Sequence, residues 1–588
     1  MSKDIPVPVK QRALVLQGGG ALGAYEAGVL KVLYKHLSKE DKKKGKNKGL
    51  LFDVIAGSSI GAMNGTVLVS QFLMTGNWMD AIKSLVKFWK DKELGLASST
   101  PEIKIEEKDW LNDNWYQEYL NSASKETARR YYSARHFAIN GAPKFFSPLT
   151  PRHDFKFFDD LSKWQLIYSN KPLEKTIRNF ANFPVKTNFE NNEPRLLVFA
   201  VDVEEGEMVT FDSYSKEDGS RKSEYGRYEK FSGFKHRIKY PGITIEHVMA
   251  SGTLPLVYDY AKVPIDQTIE QEESEYTKDI MAKEDNEHEH NKIRYFWDSG
   301  LLNNTPFREL LQAHQNYWGK NKESKIPDLE VYIVNLHPKK IDRLTTPKDF
   351  DGVKDRHNDL TYGDRSSHYD EKIIHLITDY RNFVIHINNL IKKFISNNSD
   401  VNNIGLQKIK EKLQLEYKNI LSTNTISKDY INGNEQIPIK YEDLISYGFN
   451  LNKVIRIERT NYVNSISAKG ADTTYETINK LIIEGECDAW ISIIHNEITD
   501  IKLHSSIDNS TKNNMIESLD KIICHLNHII YNLKDNDFEN IKEVDNEISK
   551  IINNINKSKK IDEINPDQFN KILDYLEDFK ETLQNIED

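Results

Sequence analysis

Two glycine-rich turns, each following an apolar run, hold the residues that could do chemistry in this sequence. The second turn reads Gly57-x-Ser59-x-Gly61 and follows the run 50–56. In a nucleophile elbow the flanking glycines allow a sharp strand-to-helix turn that lifts the serine hydroxyl out of the sheet. The motif therefore predicts Ser59 as a nucleophile. A lone motif of this type is also typical of a Gly/Ser helix N-cap, so its context has to decide.

The first turn, Gly18-x-Gly20-x-x-Gly23 after the run 13–17, has two interpretations. It matches the dinucleotide-binding fingerprint, in which an acid about 20 residues further on holds a ribose. Glu40 or Asp41 stands at roughly that distance, but in a charged segment rather than at a strand end. A dinucleotide-binding protein therefore remains an alternative with a weak basis.

In the second interpretation, the bare amides of the first turn hold a developing oxyanion. The order of the two turns favours this interpretation, because a serine elbow follows one strand-turn-helix unit later. The sequence then predicts an oxyanion hole formed by Gly18, Gly19, Gly20 and Gly23.

A proton acceptor for Ser59 is predicted at Asp298. This residue directly follows the apolar run 294–297 and precedes Ser299 and Gly300, so it should emerge at the end of a strand. A carboxylate accepts a serine proton more readily when it is partly removed from water, since desolvation raises its pKa. We therefore expect Asp298 to be buried.

The strands and helices predicted around these residues indicate an α/β fold. Two successive strand-turn-helix units indicate a parallel sheet, and further strands are predicted at 195–203, 294–297 and 329–336, so that the sheet ends near Pro338. The 588 residues exceed what one core usually serves. Residues 99–190 are rich in aromatic side chains, which indicates either a helical lid with an acyl pocket or ordinary packing of a helical insertion.

The sequence resembles the patatin-like phospholipases in both glycine turns, in Asp298-x-Gly300, and in the order of these motifs. The segments 200–206, 250–255 and 304–306 are also similar to the family. The resemblance implies a three-layer domain over residues 1–340 with a mostly parallel central sheet, followed by a mainly α-helical extension over 341–588. Two residues depart from the family pattern: Leu22 stands where many members have a basic residue, and Ser299 replaces a glycine.

The resemblance also implies a function. A Ser59–Asp298 dyad would hydrolyse acyl esters of phospholipids or other lipids, without a cofactor, a metal or a catalytic histidine. Gly57, Gly61 and Gly300 would shape the turns. Because Leu22 and the long extension depart from the family, a catalytically weak patatin-like scaffold or binding protein remains the main alternative.

Composition limits the classes of partner that this protein is expected to bind. A net charge of −9 is too mild for a nucleic-acid partner, and two cysteines exclude a disulfide framework. The sequence contains neither a convincing signal peptide nor an apolar run of about 20 residues. We expect a cytoplasmic protein, with peripheral membrane contact and homo-oligomer formation through the extension left open. Acidic and histidine residues at 287–290 and the cluster 524–528 are interpreted as a solvated hairpin tip and as bundle residues rather than as metal sites.

Overall fold

The fold was analysed in a computed structural model of the chain. It describes residues 7–45, 49–99, 125–149, 168–215, 221–225, 239–264, 293–319, 326–338, 346–347, 349–396, 404–431, 435–442, 448–460, 466–504, 524, 526–528, 541–558 and 566–587.

The strands are β1 (Lys10–Leu16), β2 (Val54–Gly57), β3 (Ser147–Pro148), β4 (Tyr168–Ser169), β5 (Arg195–Asp202), β6 (Glu207–Asp212), β7 (Arg221–Lys222), β8 (Glu224–Tyr225), β9 (Lys239–Tyr240), β10 (Ala261–Pro264), β11 (Ile293–Asp298), β12 (Asp328–Asn335), β13 (Asn424–Ile431), β14 (Glu435–Lys440) and β15 (Leu451–Glu458).

The helices are α1 (Ala24–Lys43), α2 (Ile60–Thr75), α3 (Trp78–Lys90), α4 (Lys125–Asn140), α5 (Lys171–Phe180), α6 (Ile245–Ser251), α7 (Phe307–Trp318), α8 (Phe350–Tyr362), α9 (Ser367–Ser396), α10 (Ile404–Ser422), α11 (Tyr475–His504), α12 (Ile541–Ser558) and α13 (Pro566–Glu587). Short 3₁₀ turns occupy Gly20–Gly23, Phe189–Asn191, Ser299–Leu301 and Lys469–Ala471.

A mixed sheet in the order β10-β11-β5-β2-β1-β12-β15 forms the centre of the fold, and β6 and β8 continue it beside β5. The strands from β5 to β15 in this order are parallel to their neighbours, whereas β10, β11 and β6 are paired antiparallel. All five predicted strands are present. The predicted α/β fold with a mostly parallel central sheet is confirmed, and so is a mainly helical C-terminal region.

Helices cover both faces of the sheet, because side chains along a strand alternate between its faces. In β1, Leu14 and Leu16 pack into a core with α1, α2, α3 and α11, whereas Ala13 and Val15 pack into a second core with α7. This arrangement gives the three layers that the sequence predicts. Among the described residues, no helix has both the length and the apolarity needed to cross a bilayer.

Strand β15 is the main departure from the sequence analysis. It pairs in parallel with β12 along its whole length, so the prediction that the sheet ends near Pro338 is wrong. The sequence of β15, LNKVIRIE, mixes charged and apolar residues because it lies at the edge of the sheet. The division into two domains at residue 340 stays a prediction, but the sheet itself continues across that position.

Helix α11 joins the residues beyond 340 to the first core through a close crossing with α1. Two glycines stand at the crossing. A Cβ atom on Gly28 would lie 1.9 Å from the carbonyl oxygen of Ile482, and one on Gly485 would lie 2.1 Å from the carbonyl oxygen of Tyr25. The backbones of the two helices therefore approach each other as closely as they can.

The predicted insertion 99–190 is described only in part. Within it, α4 and α5 are helical and β3 pairs with β4. Among the aromatic residues of this segment, Phe145 and Phe146 are buried in the first core. Trp110, Trp115, Phe155, Phe157, Phe158 and Trp164 lie outside the described residues.

The glycine crossing gives a testable prediction for stability. Gly485→Ala should lower the free energy of unfolding by about 1–3 kcal/mol, because the added methyl group must push two helix backbones apart. Urea unfolding followed by circular dichroism measures this change. Gly49→Ala is the matched control, since a Cβ atom there meets nothing within 4 Å. Equal stability of both variants would contradict the close crossing.

Candidate active site

Ser59 stands in the sharp turn between β2 and α2. Its backbone has φ 52° and ψ −123°, a left-handed conformation that a residue with a side chain adopts only when its surroundings enforce it. Crowding on both sides of the turn explains the two flanking glycines. A Cβ atom on Gly57 would lie 2.4 Å from the carbonyl oxygen of Gly61, and one on Gly61 would lie 2.4 Å from the carbonyl oxygen of Leu16.

The register of the sheet brings Asp298 next to Ser59. Gly57 pairs with Val198 of β5, and two residues further along β5 Ala200 pairs with Asp298, the last residue of β11. Ser59 is likewise two residues beyond Gly57. The hydroxyl of Ser59 donates a hydrogen bond to Oδ2 of Asp298 over 2.6 Å.

The Asp298 carboxylate is almost wholly withdrawn from solvent, with 1% of its surface exposed. Burial raises its pKa to about 7, and the hydrogen bonds from Ser59 and from the backbone N–H of Gly300 lower it in part. The Gly300 amide donates to Oδ1 over 2.7 Å. The group is therefore a far better proton acceptor than a solvated aspartate.

Asn304 fixes the first glycine turn beside this pair. Its side-chain amide donates to the carbonyl oxygen of Gly18 over 2.9 Å and to that of Tyr362 over 2.7 Å. The backbone carbonyl oxygen of Asn304 accepts from the Gly18 amide over 3.4 Å. Gly20 needs to be glycine, because its φ is 59° and a Cβ atom would lie 2.5 Å from the carbonyl oxygen of Gly470.

The four glycines predicted to form the oxyanion hole differ from one another in their surroundings. Gly18, Gly19 and Gly20 line the same cavity as Ser59 and Asp298, but the Gly18 amide is already bonded to Asn304. Gly23 lies further along, where a Cβ atom would stand 2.7 Å from Cγ1 of Ile60, so close packing explains this glycine. Gly19 and Gly20 remain as candidate oxyanion donors.

A chain of buried serines supports the elbow from below. The Ser58 hydroxyl is 2.6 Å from that of Ser299, which is 3.3 Å from that of Ser251. Ser251 in turn accepts from the backbone N–H of Ser59 over 2.9 Å. Ser299, a departure from the family pattern, thus takes part in positioning the nucleophile turn.

A second buried polar cluster anchors the first glycine turn to α2. The Asn64 side chain donates to the carbonyl oxygen of Gly23 over 2.9 Å and to the Glu26 carboxyl group over 2.7 Å, and it accepts from the Trp89 indole over 2.9 Å. Burial raises the pKa of Glu26 well above its ordinary value, and the hydrogen bond from Asn64 lowers it in part. Leu22 is buried in the same core, where a basic side chain would have no solvent.

The cavity above Ser59 has a volume of about 350 Å³. One wall is apolar and includes Ile60, Met63, Phe145, Phe146, Leu173, Leu254 and Val257. Tyr168, Tyr258 and Tyr362 add amphipathic rings. This composition is typical of a site that holds an apolar group next to a few convergent polar atoms.

A second wall of the cavity comes from beyond residue 340 and was missed by the sequence analysis. It is formed by Asn358 and Tyr362 of α8 and by the segment Ser467–Ala471. Lys469 of this segment is buried and pairs with Asp355 at 2.9 Å and with Asp359 at 2.6 Å, while Nδ1 of His337 lies 3.2 Å from Asp359. No recognisable motif surrounds Lys469, so only the fold reveals this wall.

The residues of the alternative interpretations lie elsewhere. Glu40 and Asp41 are near the far end of α1, where Asp41 binds Arg12 and Glu40 binds Lys44. At about 1.5 Å per residue, the helix puts them on the order of 25 Å from the glycine turn, too far to hold the ribose of a nucleotide bound there. Within the described ranges no cluster of histidine, cysteine and acidic residues could hold a metal. Residues 287–290 and His525 lie outside those ranges.

Comparison with known proteins identifies one family. The family model described as patatin-like phospholipase matches residues 14–311, a range that contains Ser59, Asp298 and both glycine turns. Among solved structures, the chain is similar to VipD from Legionella pneumophila with 13% identity, covering 100% of this chain and 90% of that chain at a TM-score of 0.23. A score this low carries no argument about the site. No curated protein matches the chain.

The raised pKa of Asp298 predicts the pH dependence of Ser59 reactivity. Only the ionised carboxylate can accept the serine proton, so labelling of Ser59 by a fluorophosphonate should rise with pH, with a midpoint near the pKa of about 7, and level off above it. The rate of labelling as a function of pH measures this. A pH-independent rate between 5 and 9 would contradict a role for Asp298 as the base.

The same shift predicts an effect on stability. The pKa of Asp298 in the folded chain, about 7, exceeds the value of about 4 in an unfolded chain. The folded state therefore binds the extra proton between these values, and stability falls as the pH rises through 7. In thermal unfolding at pH 5 and pH 8, the wild type should lose more stability on alkalinisation than Asp298→Asn does. An equal loss in both proteins would contradict a buried, titrating carboxyl group.

Proposed function

Because this chain belongs to the patatin-like phospholipase family, we propose that it hydrolyses acyl esters of lipids with Ser59 as nucleophile and Asp298 as base. The family as a whole consists of lipid acyl hydrolases. The observation that carries the proposal is the 2.6 Å hydrogen bond from the Ser59 hydroxyl to a buried carboxylate. It joins a strained serine to an acceptor whose pKa is raised to about 7.

In the acylation step, Oγ of Ser59 attacks the ester carbonyl carbon as its proton passes to Oδ2 of Asp298. The carbonyl oxygen becomes an oxyanion, for which the amides of Gly19 and Gly20 are the proposed donors; each such donor contributes about 10²–10³-fold in rate. Collapse of the tetrahedral intermediate breaks the ester bond. The alcohol leaves with the proton from Asp298, and the acyl group stays on Ser59.

In the second step, water takes the place of the departed alcohol. Asp298 accepts a proton from the water, the hydroxide attacks the acyl-serine, and the same amides hold the second oxyanion. Release of the carboxylic acid returns the proton to Oγ of Ser59. Asp298 is ionised at the start and at the end of the cycle, so the dyad needs no further proton acceptor.

The lining of the cavity supports the proposed substrate class. The acyl chain would lie along Met63, Phe145, Phe146 and Leu254, while the ester carbonyl points to the glycine turn. Phospholipids, lysophospholipids and simpler acyl esters share this part of their structure. The wall formed by Asn358 and Tyr362 would face the alcohol portion.

Substitutions of the dyad test the proposal. Ser59→Ala should lower fatty-acid release from phospholipid or short acyl esters by at least about 10³-fold, because no nucleophile remains. Asp298→Asn should cause a loss of similar order, since an amide cannot accept the proton. Both rates are measured by titrating the released acid, and circular dichroism checks that the variants are folded.

Two controls make this test specific. Ser58→Ala removes the neighbouring hydroxyl, which points to Ser299 rather than to Asp298, and should reduce the rate only a few-fold. His337 also lines the cavity and contacts Asp359, so His337→Gln tests a histidine mechanism. A folded His337→Gln variant without turnover, or an active Ser59→Ala variant, would overturn the proposed dyad.

We also propose that the mouth of the cavity rests on a lipid surface. Leu256 lies between the lining residues Leu254 and Val257, Leu301 and Leu302 follow Asp298 closely, and these three leucines are about half exposed or more. Leu256 is held at φ 66°, a strained conformation that the surrounding loop must enforce. Exposed leucines around an apolar cavity fit contact with the acyl region of a membrane or micelle.

Replacement of two of these leucines separates surface contact from chemistry. Leu301→Asp/Leu302→Asp should reduce hydrolysis of phospholipid vesicles about tenfold or more, because charged groups would be driven into the lipid surface. Hydrolysis of a soluble short-chain ester should change less than about threefold. Met74→Asp, an exposed substitution at the opposite end of α2, is the control. Equal losses on vesicles and on soluble ester would contradict the surface contact.

A further inference from the structure

Helix α9 exposes an apolar face with a heptad repeat. Its side chains at alternating spacings of three and four are Ile373, Leu376, Tyr380, Phe383, Ile387 and Leu390. Each of them is between 40% and 69% exposed. The same spacing continues to Tyr369 at one end and Phe394 at the other, both also exposed. We call these eight residues the heptad face.

The side of α9 opposite the heptad face packs against the rest of the protein. Ile374 packs against the second core, Asp370 pairs with Arg308 at 2.8 Å, and Arg381 donates to Asn450 over 2.6 Å. Glu371 forms a further ion pair with Arg456. The helix is therefore anchored by Ile374 and by polar contacts, while the residues of the heptad face are exposed.

The period of the heptad face indicates what should cover it. Apolar residues that face a flat membrane recur with the 3.6-residue period of a straight helix, over a broad face. The heptad face keeps a 3.5-residue period over more than three heptads, which is the pattern of a helix that supercoils around another helix. The face thus calls for a helical occupant.

Helix α10 lies beside α9, where Lys410 stands over the ring of Phe394, but the heptad face remains exposed in the presence of α10. Three further helices already use their apolar sides. The buried apolar residues of α11, α12 and α13, such as Ile482, Ile548 and Leu576, belong to the first core. Leu526 is also buried there. None of these described side chains is available to cover α9.

The size of the heptad face matches a specific interface. Eight large apolar side chains that are each about half exposed amount to on the order of 800 Å² of accessible surface, which is the standard area per partner in a stable complex. Contiguous apolar patches on monomers rarely exceed a few hundred Å². Exposed charges beside the face have both signs, with Lys372 and Lys393 against Asp379, so two identical faces are not held apart by a uniform charge.

From these observations we propose that the heptad face of α9 binds the heptad face of a second copy of this chain, so that the protein is a homodimer joined by a two-helix coiled coil. A two-fold symmetric interface uses the same patch on both copies, and an apolar a/d face is complementary to itself. None of the residues of the heptad face lines the active-site cavity, and the proposed interface does not depend on the proposed catalysis.

Sedimentation velocity of the full-length protein tests the dimer. The wild type should sediment as a dimer at micromolar concentration. Leu376→Glu/Phe383→Glu should raise the dissociation constant at least about a hundredfold, because it places four carboxylates in the apolar seam. Asn382→Glu/Asn389→Glu, exposed on the same helix but outside the heptad face, is the matched control and should remain dimeric.

Further measurements distinguish loss of the dimer from loss of folding or of activity. Circular dichroism and thermal unfolding should show that both double variants are folded, as expected for substitutions of exposed residues. Purified chains carrying two different affinity tags should copurify after mixing, and the heptad-face variant should not. Ser59→Ala should dimerise like the wild type, whatever its activity. A wild type that is monomeric at about 100 µM, or a dimer that survives Leu376→Glu/Phe383→Glu, would overturn the proposal.

Discussion

The withdrawal of one carboxylate from water is the constraint on which the site depends. Asp298 is only 1% exposed, and its neighbours are arranged so that one oxygen faces Ser59 while the other is bonded to the Gly300 amide. A buried charge of this kind is costly unless it is hydrogen-bonded. The serine hydroxyl that is to be activated is thus also one of the groups that makes burial of the carboxylate tolerable, which couples the structure of the site to its proposed chemistry.

The features of the candidate site that can be predicted from the sequence are those fixed by local backbone geometry. Gly20 is required because its φ is 59°, and Gly57 because a Cβ atom there would collide with the carbonyl oxygen of Gly61 in the same turn. Requirements of this kind produce a spacing of glycines that can be recognised in the sequence. Asp298 is also readable, because an apolar run that ends in an acid predicts a carboxylate at a strand end, although its contact with Ser59 depends on the register of β2, β5 and β11.

The parts that the sequence does not predict are those made by contacts between distant segments. Lys469 and Asp359 are 110 residues apart and pair inside the protein, and each alone looks like an ordinary surface charge. Strand β15 joins the sheet more than a hundred residues after β12, and its alternating charges resemble a solvent-exposed segment. Nothing in the sequence relates Ser299 and Ser251 to the nucleophile turn; the relation lies in their hydrogen bonds to the Ser58 hydroxyl and to the Ser59 amide. Long-range pairing of this kind has no periodicity from which it could be inferred.

The late position of Ser467–Ala471 in the chain has a consequence for biosynthesis. Ser59 and Asp298 have both been translated by residue 298, but the lining of the cavity is complete only at Ala471. Ribosomes add about 5–20 residues per second, so roughly 10–30 seconds pass between the two events. A nascent chain therefore holds Ser59 and Asp298 for some time before it holds all the residues that line the cavity.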